Sequence, residues 1–228
     1  LVAPTGAGKT IILAAITQAA AARDRRVLIL VHRRELIRQT SAKLTHAGVN
    51  HGIIAAGFVP SDHPVQVASV QTLARRLQHQ HWQPDLIVID EAHHAIAGTW
   101  ANVISYWPNS LLLGVTATPI RQDGRGLGAM FDRLVLGPST ADLMAAGHLT
   151  RVKLYAPPQV ADLTGIRTRA GDYANDQAAA AMTRPTVTGD AITHYQRIAA
   201  GQRAIAFCCN VNHATSVCDA FNAAGISA

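Results

Sequence analysis

A turn between a strand and a helix, with the sequence APTGAGKT, occupies residues 3–10 and decides the fold. The two residues before it are apolar, as in a buried strand, and a long helical stretch follows it. Gly6 and Gly8 allow backbone N–H groups to approach an anion, and the helix that starts here adds the positive end of its dipole. The pattern predicts a phosphate-binding loop, in which Ala3 replaces the usual first glycine.

Two side chains at the end of this loop have the chemistry that a bound nucleoside triphosphate needs. Lys9 can reach the β- and γ-phosphates, and the Thr10 hydroxyl can bind Mg²⁺. The alternative is an ordinary glycine-rich turn, which the GKT sequence at the start of a long helix disfavours. The predicted nucleotide-binding residues are Thr5, Gly6, Ala7, Gly8, Lys9 and Thr10.

A second apolar stretch, residues 86–89, ends in the acidic pair Asp90 and Glu91. In an open parallel sheet a ligand lies beyond the carboxyl ends of the strands, so this pair should face the same crevice as the phosphate loop. Asp90 can hold Mg²⁺ there, while Glu91 orients and deprotonates an attacking water. The alternative is an acidic cap of the next helix, which the phosphate loop upstream disfavours. Together the two motifs predict a nucleoside triphosphatase.

Short apolar runs alternate with stretches of helical period along the chain, which is typical of a parallel α/β sheet. We expect helices to begin near residues 69 and 99 and to cover 141–146, 186–199 and 211–224. The predicted strands are 27–31, 52–56, 65–68, 86–89, 111–115, 152–155 and 204–208.

A change in composition suggests where one domain ends. After residue 156 come two prolines and a polar, glycine-containing stretch, and the alternation of strand and helix restarts beyond it. We interpret residues 1–148 as an ATP-binding domain with a truncated first strand, and residues 149–228 as a linker and a truncated second domain. Because the chain opens inside a motif and without methionine, we expect a fragment of a longer cytoplasmic protein.

Composition excludes several classes of protein. The chain of 228 residues is 49% hydrophobic and 15% charged, which supports a sizeable core, and no apolar run is long enough to cross a bilayer. Its three cysteines form neither a disulfide framework nor a zinc pattern. The net charge of +6 results from 17 arginines and 3 lysines against 14 acidic residues. An excess of arginine suits phosphate contacts, and genomic base composition is the alternative explanation.

The order of the motifs resembles that of the DEAD/DEAH-box helicases of superfamily 2. The resemblance extends along the whole chain, and its first, second and third motifs are the specific ones. The matching stretches are APTGAGKT at 3–10 (motif I), VHRREL at 31–36 (Ia), ASVQTL at 68–73 (Ib), DEAH at 90–93 (II), TATP at 116–119 (III) and AFCCNVNHA at 206–214 (IV).

This resemblance implies RecA-like domains, with ATP and Mg²⁺ bound at the first of them. Lys9, Asp90 and Glu91 would be the catalytic residues, and Thr10 and Asp90 would hold the metal. His93 would link the ATP site to motif III.

The resemblance also implies a path from nucleotide to nucleic acid. Thr116 and Thr118 would pass the nucleotide state to a groove in which Arg33, Arg34, Ser69 and Thr72 lie near backbone phosphates. For the two arginines, the alternative is a solvated helix face.

The residues of several motifs are similar to those of bacterial and phage RadD-type DNA helicases and of type I and III restriction motors. The stretches that carry this similarity are VHRREL, GIIAAG at 52–57 and TATPIRQDGRGLG at 116–128. DNA is therefore favoured over RNA as the partner, and no membrane is expected. Two other functions stay open, a duplex translocase that does not separate strands and a non-catalytic nucleic-acid-binding module.

Motifs V and VI, with their arginine finger, would lie beyond residue 228 in this family. An arginine finger accelerates phosphoryl transfer by about 10³ to 10⁵. We therefore expect this polypeptide alone to bind Mg·ATP and to turn it over slowly.

The three tryptophans offer a further possibility. Trp82, Trp100 and Trp107 could stack on bases, but their scattered spacing favours packing in the core.

Overall fold

The structure, a computed structural model, divides the chain into two compact units, Leu1–Arg151 and Val152–Ala228. The domain assignment of residues 1–148 and 149–228 stays a prediction. The described residues are 1–80, 82–95, 98–119, 126–155, 164–169, 172–173, 175–182 and 185–228. Residues 120–125 of the TATPIRQDGRGLG stretch lie outside them.

The first unit is built on a parallel sheet of five strands in the order β2-β3-β1-β4-β5. All five residues of the central strand are buried, because helices cover both faces of the sheet. The predicted α/β class is thereby confirmed, although the second strand is shorter than predicted. The strands are β1 (Val27–Val31), β2 (Gly52–Ile54), β3 (Val65–Ser69), β4 (Leu86–Asp90) and β5 (Leu111–Val115).

In the described part of the first unit, five α-helices accompany this sheet. Ser69 caps the third of them and Ser139 the fifth, where it forms a capping box with Asp142. No helix among the described residues is long and apolar enough to cross a membrane. The helices are α1 (Lys9–Ala21), α2 (Arg34–His46), α3 (Val70–Ala74), α4 (Gly98–Ser105) and α5 (Thr140–Ala145).

Each face of the sheet has its own apolar core. Alternate residues of β1 point to opposite faces, so Ile29 packs with residues of α1 and α2, while Leu28 packs with residues of α3 and α4. Trp100 and Trp107 are buried in the second core, and Trp82 packs against it half-buried. All three tryptophans therefore contribute to the core, as their spacing predicted.

The strand that leads into the phosphate loop is reduced to one residue, Val2. It pairs in parallel with Thr116 just after β5 and, on its other side, with Leu136. The main-chain N–H of Val2 donates to the Val135 carbonyl at 2.8 Å, and the Val2 carbonyl accepts from Gly137 at 2.7 Å. The loop is thus anchored between two neighbouring segments rather than at a free edge.

Among its described residues, the second unit contains three helices and a short hairpin. Two of the helices were predicted within one residue at each end, but the hairpin and the first helix were not. The elements are β6 (Thr168–Arg169), β7 (Asp172–Tyr173), α6 (Asn175–Met182), α7 (Pro185–Ala199) and α8 (Val211–Ala223).

The strands predicted at 152–155 and 204–208 are wrong. No strand forms at either place, and Leu154 and Phe207 are 94% and 95% exposed. A strand forms only where a neighbouring backbone takes up its N–H and carbonyl groups, and no described segment pairs with these two. Apolar composition alone was therefore misleading.

Candidate nucleotide-binding site

The phosphate loop has the backbone shape of an anion cradle. Gly6 and Gly8 have φ angles of 84° and 76°, in the left-handed region that favours glycine. Gly8 is the N-cap of α1 and offers no side-chain cap, so the N–H groups of Lys9 and Thr10, the first two of the helix, can donate to a ligand. A Cβ atom on Gly8 would meet nothing within 4 Å, so the space beside it is open.

Leu149 supports the loop from the other side, a contact that the motifs did not predict. A Cβ atom on Gly6 would lie 2.7 Å from Leu149 Cδ2, so the Leu149 side chain would have to shift to admit any other residue. The Leu149 N–H donates to the Leu143 carbonyl at 3.1 Å, which fixes the residue after α5. The sequence alone gives no signal for this contact, because Leu149 and Gly6 are far apart along the chain.

The Lys9 ammonium group is folded onto its own loop. Its Nζ atom donates to the carbonyls of Ala3 and Pro4, both at 3.1 Å. The positive charge also favours the ionised form of Asp90, so the two side chains lie within electrostatic reach of one another. Thr10 is the second residue of α1 and is partly buried.

Asp90 lies at the carboxyl end of β4 and is only 8% exposed. Burial raises the pKa of its carboxyl group, and the negative charge of Glu91 raises it further. The Glu91 N–H, which donates to Asp90 Oδ1 at 3.0 Å, and the charge of Lys9 both oppose this rise. A buried carboxylate of this kind fits a hard divalent cation, which would restore its charge.

Glu91 has a backbone conformation that side chains rarely adopt. Its φ and ψ angles are 55° and 54°, in the left-handed region, which costs roughly 1–2 kcal/mol for a residue with a Cβ atom. Such strain is typical of functional positions. Its side chain is 33% exposed, with Oε2 3.4 Å from His93 Nδ1.

His93 connects the acidic pair to the residues that follow β5. Its Nδ1 atom lies 3.0 Å from the hydroxyl of Thr116, which is 1% exposed. That hydroxyl donates to the Thr118 carbonyl and accepts from the Thr118 N–H, both at 3.1 Å. The Thr116 hydroxyl therefore links the His93 ring to the backbone of Thr118. Thr118 takes part through its backbone N–H and carbonyl groups.

The predicted nucleic-acid contacts lie at the ends of two neighbouring strands. β1 and β3 pair so that Val31 is opposite Ser69. Arg33 and Arg34 follow the first strand and are exposed, and Thr72 follows the second. The structure therefore brings all four predicted residues to the same edge of the sheet, which is also the edge that carries Asp90.

Gln71 joins these two strand ends, and the motifs did not single it out. Its Oε1 atom accepts from the Ser69 hydroxyl at 3.0 Å, and its Nε2 atom donates to the His32 carbonyl at 3.3 Å. The Ser69 hydroxyl also accepts from the Thr72 N–H at 3.5 Å. An exposed glutamine carries no special pattern in a sequence, so only the structure shows this bridge.

A known protein family shares the motifs that form this site. Residues 1–121, which include the phosphate loop, the acidic pair and the TATP sequence, match the family model described as "Type III restriction enzyme, res subunit". The chain belongs to this family. Membership in the type III restriction family, together with the parallel sheet, confirms the predicted superfamily 2 resemblance and the RecA-like fold.

Two relatives extend the comparison beyond the family model. The "51.5 kDa protein" of a Lactococcus phage (isolate 7-9) is 33% identical over 225 residues, which is 99% of this chain and 47% of that protein. The "Putative ATP-dependent helicase IRC3" of Saccharomyces cerevisiae is 33% identical over 159 residues, 64% of this chain and 23% of that protein. The chain thus spans less than half of either relative.

Among solved structures, the UvsW helicase from bacteriophage T4 is similar with a TM-score of 0.49 and 22% identity. The similarity covers 55% of this chain and 48% of that one.

Proposed function

We propose that the chain is the nucleotide-binding part of a motor that hydrolyses ATP and moves along nucleic acid, with DNA as the favoured track. The observation that carries the proposal is the buried Asp90 beside the strained Glu91, at the same sheet edge as the phosphate loop. Membership in the type III restriction family and a relative named as a helicase support it.

In this proposal the loop holds the phosphates, and the acidic pair prepares water for attack. Backbone N–H groups of residues 5–8 and the start of α1 bind the phosphate oxygens, and Lys9 leaves its two carbonyl partners to reach the γ-phosphate. Thr10 and Asp90 hold Mg²⁺, which neutralises phosphate charge when bound. Glu91 accepts a proton from the attacking water.

The same proposal gives a route from nucleotide to track. A change at Glu91 reaches Thr118 through His93 and the Thr116 hydroxyl. Arg33, Arg34, Ser69 and Thr72 then hold backbone phosphates without reading bases, because they offer hydroxyl and guanidinium donors at strand ends.

The experiment compares Glu91→Gln with Glu35→Gln, since these are the two glutamates of the chain. Glu35 is exposed in the first turn of α2 and serves as the matched control. ATP turnover of the 228-residue chain is measured with and without single- and double-stranded DNA and RNA.

We expect DNA to stimulate turnover, Glu91→Gln to lower it by about 10²–10⁴ with ATP still bound, and Glu35→Gln to leave it unchanged. Equal turnover in Glu91→Gln and Glu35→Gln would contradict the role of Glu91. Stimulation by RNA alone would contradict the DNA track.

A second candidate is a duplex translocase that does not separate strands, which the family description as a restriction enzyme subunit favours. Displacement of a triplex-forming strand without release of a labelled duplex strand would identify it. A non-catalytic binding module is disfavoured because Lys9, Thr10, Asp90 and Glu91 are all present.

A further inference from the structure

A cavity of about 660 Å³ lies at the edge of the sheet opposite to the acidic pair. Arg26, which lines it, directly precedes β1, and Gln66, which also lines it, is the second residue of β3. Asp90, in contrast, is the last residue of its strand. The volume falls within the range of about 300–1,000 Å³ that is typical of small-molecule sites. The proposed function uses none of the residues that line this cavity.

Gln66 is a buried amide in the wall of the cavity with one unsatisfied atom. The side chain is 97% buried, since the residue is 3% exposed. Its Nε2 atom donates to the carbonyls of Ser61 at 2.7 Å and His63 at 3.0 Å, which fixes the orientation of the amide. Its Oε1 atom is buried and has no hydrogen-bond partner among the described residues. The amide of Gln66 therefore forms a fixed polar part of the cavity wall.

The mouth of the cavity carries excess positive charge. Arg26 and Arg76 both line it, both are exposed, and neither forms an ion pair with a described residue. Asp62 is the one acidic residue among the lining residues that the structure describes. Guanidinium groups bind phosphate with two parallel hydrogen bonds, so this mouth fits a phosphate group.

Trp82 supplies an aromatic surface to the same cavity. One part of the indole packs against the core under α3 and α4, and the residue is half-buried. Aromatic rings at a site of this kind stack on nucleobases, whatever the base.

We propose that this cavity binds a nucleotide. Its phosphate lies on Arg26 and Arg76, and its base stacks on Trp82. A free nucleotide and one nucleotide of a single strand share this chemistry. Binding here is independent of hydrolysis at Asp90 and Glu91.

The experiment first prevents nucleotide binding at the phosphate loop, by using the Lys9→Ala variant in buffer that contains EDTA. The chain is titrated with AMP, with inorganic phosphate and with an octamer of deoxyadenylate, by calorimetry and by tryptophan fluorescence. Trp100 and Trp107 are only 4% and 6% exposed, so quenching by a ligand reports Trp82.

Matched variants locate the binding. Arg76→Ala should weaken AMP binding about tenfold, whereas Arg75→Ala, its exposed neighbour outside the cavity, should change it by less than about twofold. Trp82→Ala should weaken binding by about five- to a hundredfold, and Trp82→Phe by less, because phenylalanine still stacks. Melting curves of each variant confirm that it is folded.

The octamer distinguishes the two sources of nucleotide. If it displaces AMP and depends on Trp82 and Arg76 in the same way, the site takes a nucleotide of a strand; binding of AMP alone assigns it to a free nucleotide. The proposal is overturned if neither probe binds, if phosphate binds as tightly as AMP, or if Arg75→Ala and Arg76→Ala weaken binding equally.

Discussion

His93 Nδ1 lies 3.0 Å from Thr116 Oγ1, and this contact joins residues that are 23 positions apart in the sequence. One end of the connection is the Glu91 carboxylate, 3.4 Å from the same nitrogen, and the other is the backbone of Thr118. Two adjacent strand ends are therefore linked by a single buried hydroxyl.

We expect Thr116→Val to weaken this link while keeping the shape of the side chain. The change removes the partner of His93 and leaves the Thr118 N–H without its acceptor, which should lower the free energy of unfolding by about 1–3 kcal/mol. Stimulation of ATP turnover by nucleic acid should fall more than turnover in its absence. Thr118→Val is the control: its side chain is exposed, so both quantities should stay near the unmodified values.

Gly6→Ala should be destabilising for two separable reasons. The φ angle of 84° costs roughly 1–2 kcal/mol with a Cβ atom, and that atom would also collide with Leu149 Cδ2. In a double-mutant cycle with Leu149→Ala, the cost of Gly6→Ala should shrink by about 0.5–3 kcal/mol. Gly8 has a similar φ angle but no neighbour within 4 Å of an added Cβ atom, so the loss of stability caused by Gly8→Ala should not depend on Leu149. Denaturant unfolding of the set measures this, and equal coupling at both glycines would refute the contact.

Asp90→Asn should stabilise the chain at neutral pH in the absence of Mg²⁺. Burial raises the pKa of Asp90, so the folded chain binds more protons than the unfolded chain between the ordinary and the raised pKa. This contribution to stability is fully present below the ordinary pKa and is lost as pH rises through the raised one. Melting temperatures measured from acid to neutral pH should show that the stability gained by Asp90→Asn increases with pH.

Asp85→Asn should behave in the opposite way. The Arg26 N–H donates to this carboxylate at 2.8 Å and Arg25 lies at 3.3 Å, and these contacts lower the pKa of Asp85. Its contribution to stability is present above the ordinary pKa and is lost as pH falls through the lowered one. The loss of stability caused by Asp85→Asn should therefore be seen at neutral pH and vanish in acid. If the stability of both variants changed with pH in the same direction, burial of Asp90 would not be the cause of its effect.

Arg33→Ala and Arg34→Ala should each weaken the binding of single- and double-stranded DNA. The loss of affinity should be similar for all DNA sequences. Each lost phosphate contact should reduce the slope of log K against log salt by about 1. Arg38, exposed further along α2, provides the control, because the same charge is removed away from the strand end. A salt dependence that changes equally for Arg38→Ala would assign the two arginines to a solvated helix face.

The sequence alone predicted the elements whose signal is local. β1 and β5 have the predicted ends, since each is a short apolar run between polar residues; β1 is buried throughout, whereas Leu111 at the start of β5 is exposed. Asp90 and Glu91 were predicted at the carboxyl edge for the same reason, because a parallel sheet allows no other place for residues that follow β4.

Contacts between distant residues were not predictable in this way. Leu149 and Gln71 are an ordinary leucine and an ordinary glutamine until the fold places one over Gly6 and the other between β1 and β3. The error at 204–208 has the same origin, because an apolar run becomes a strand only when another backbone pairs with it.

The pairing of Val2 has a consequence for the order of folding during synthesis. Both of its partners, Thr116 and Leu136, are translated long after it. At about 5–20 residues per second, the roughly 130 residues between Val2 and Leu136 take about 7–26 s to emerge. The phosphate loop is therefore synthesised well before the two segments that anchor it, and it reaches its final shape only after they have emerged.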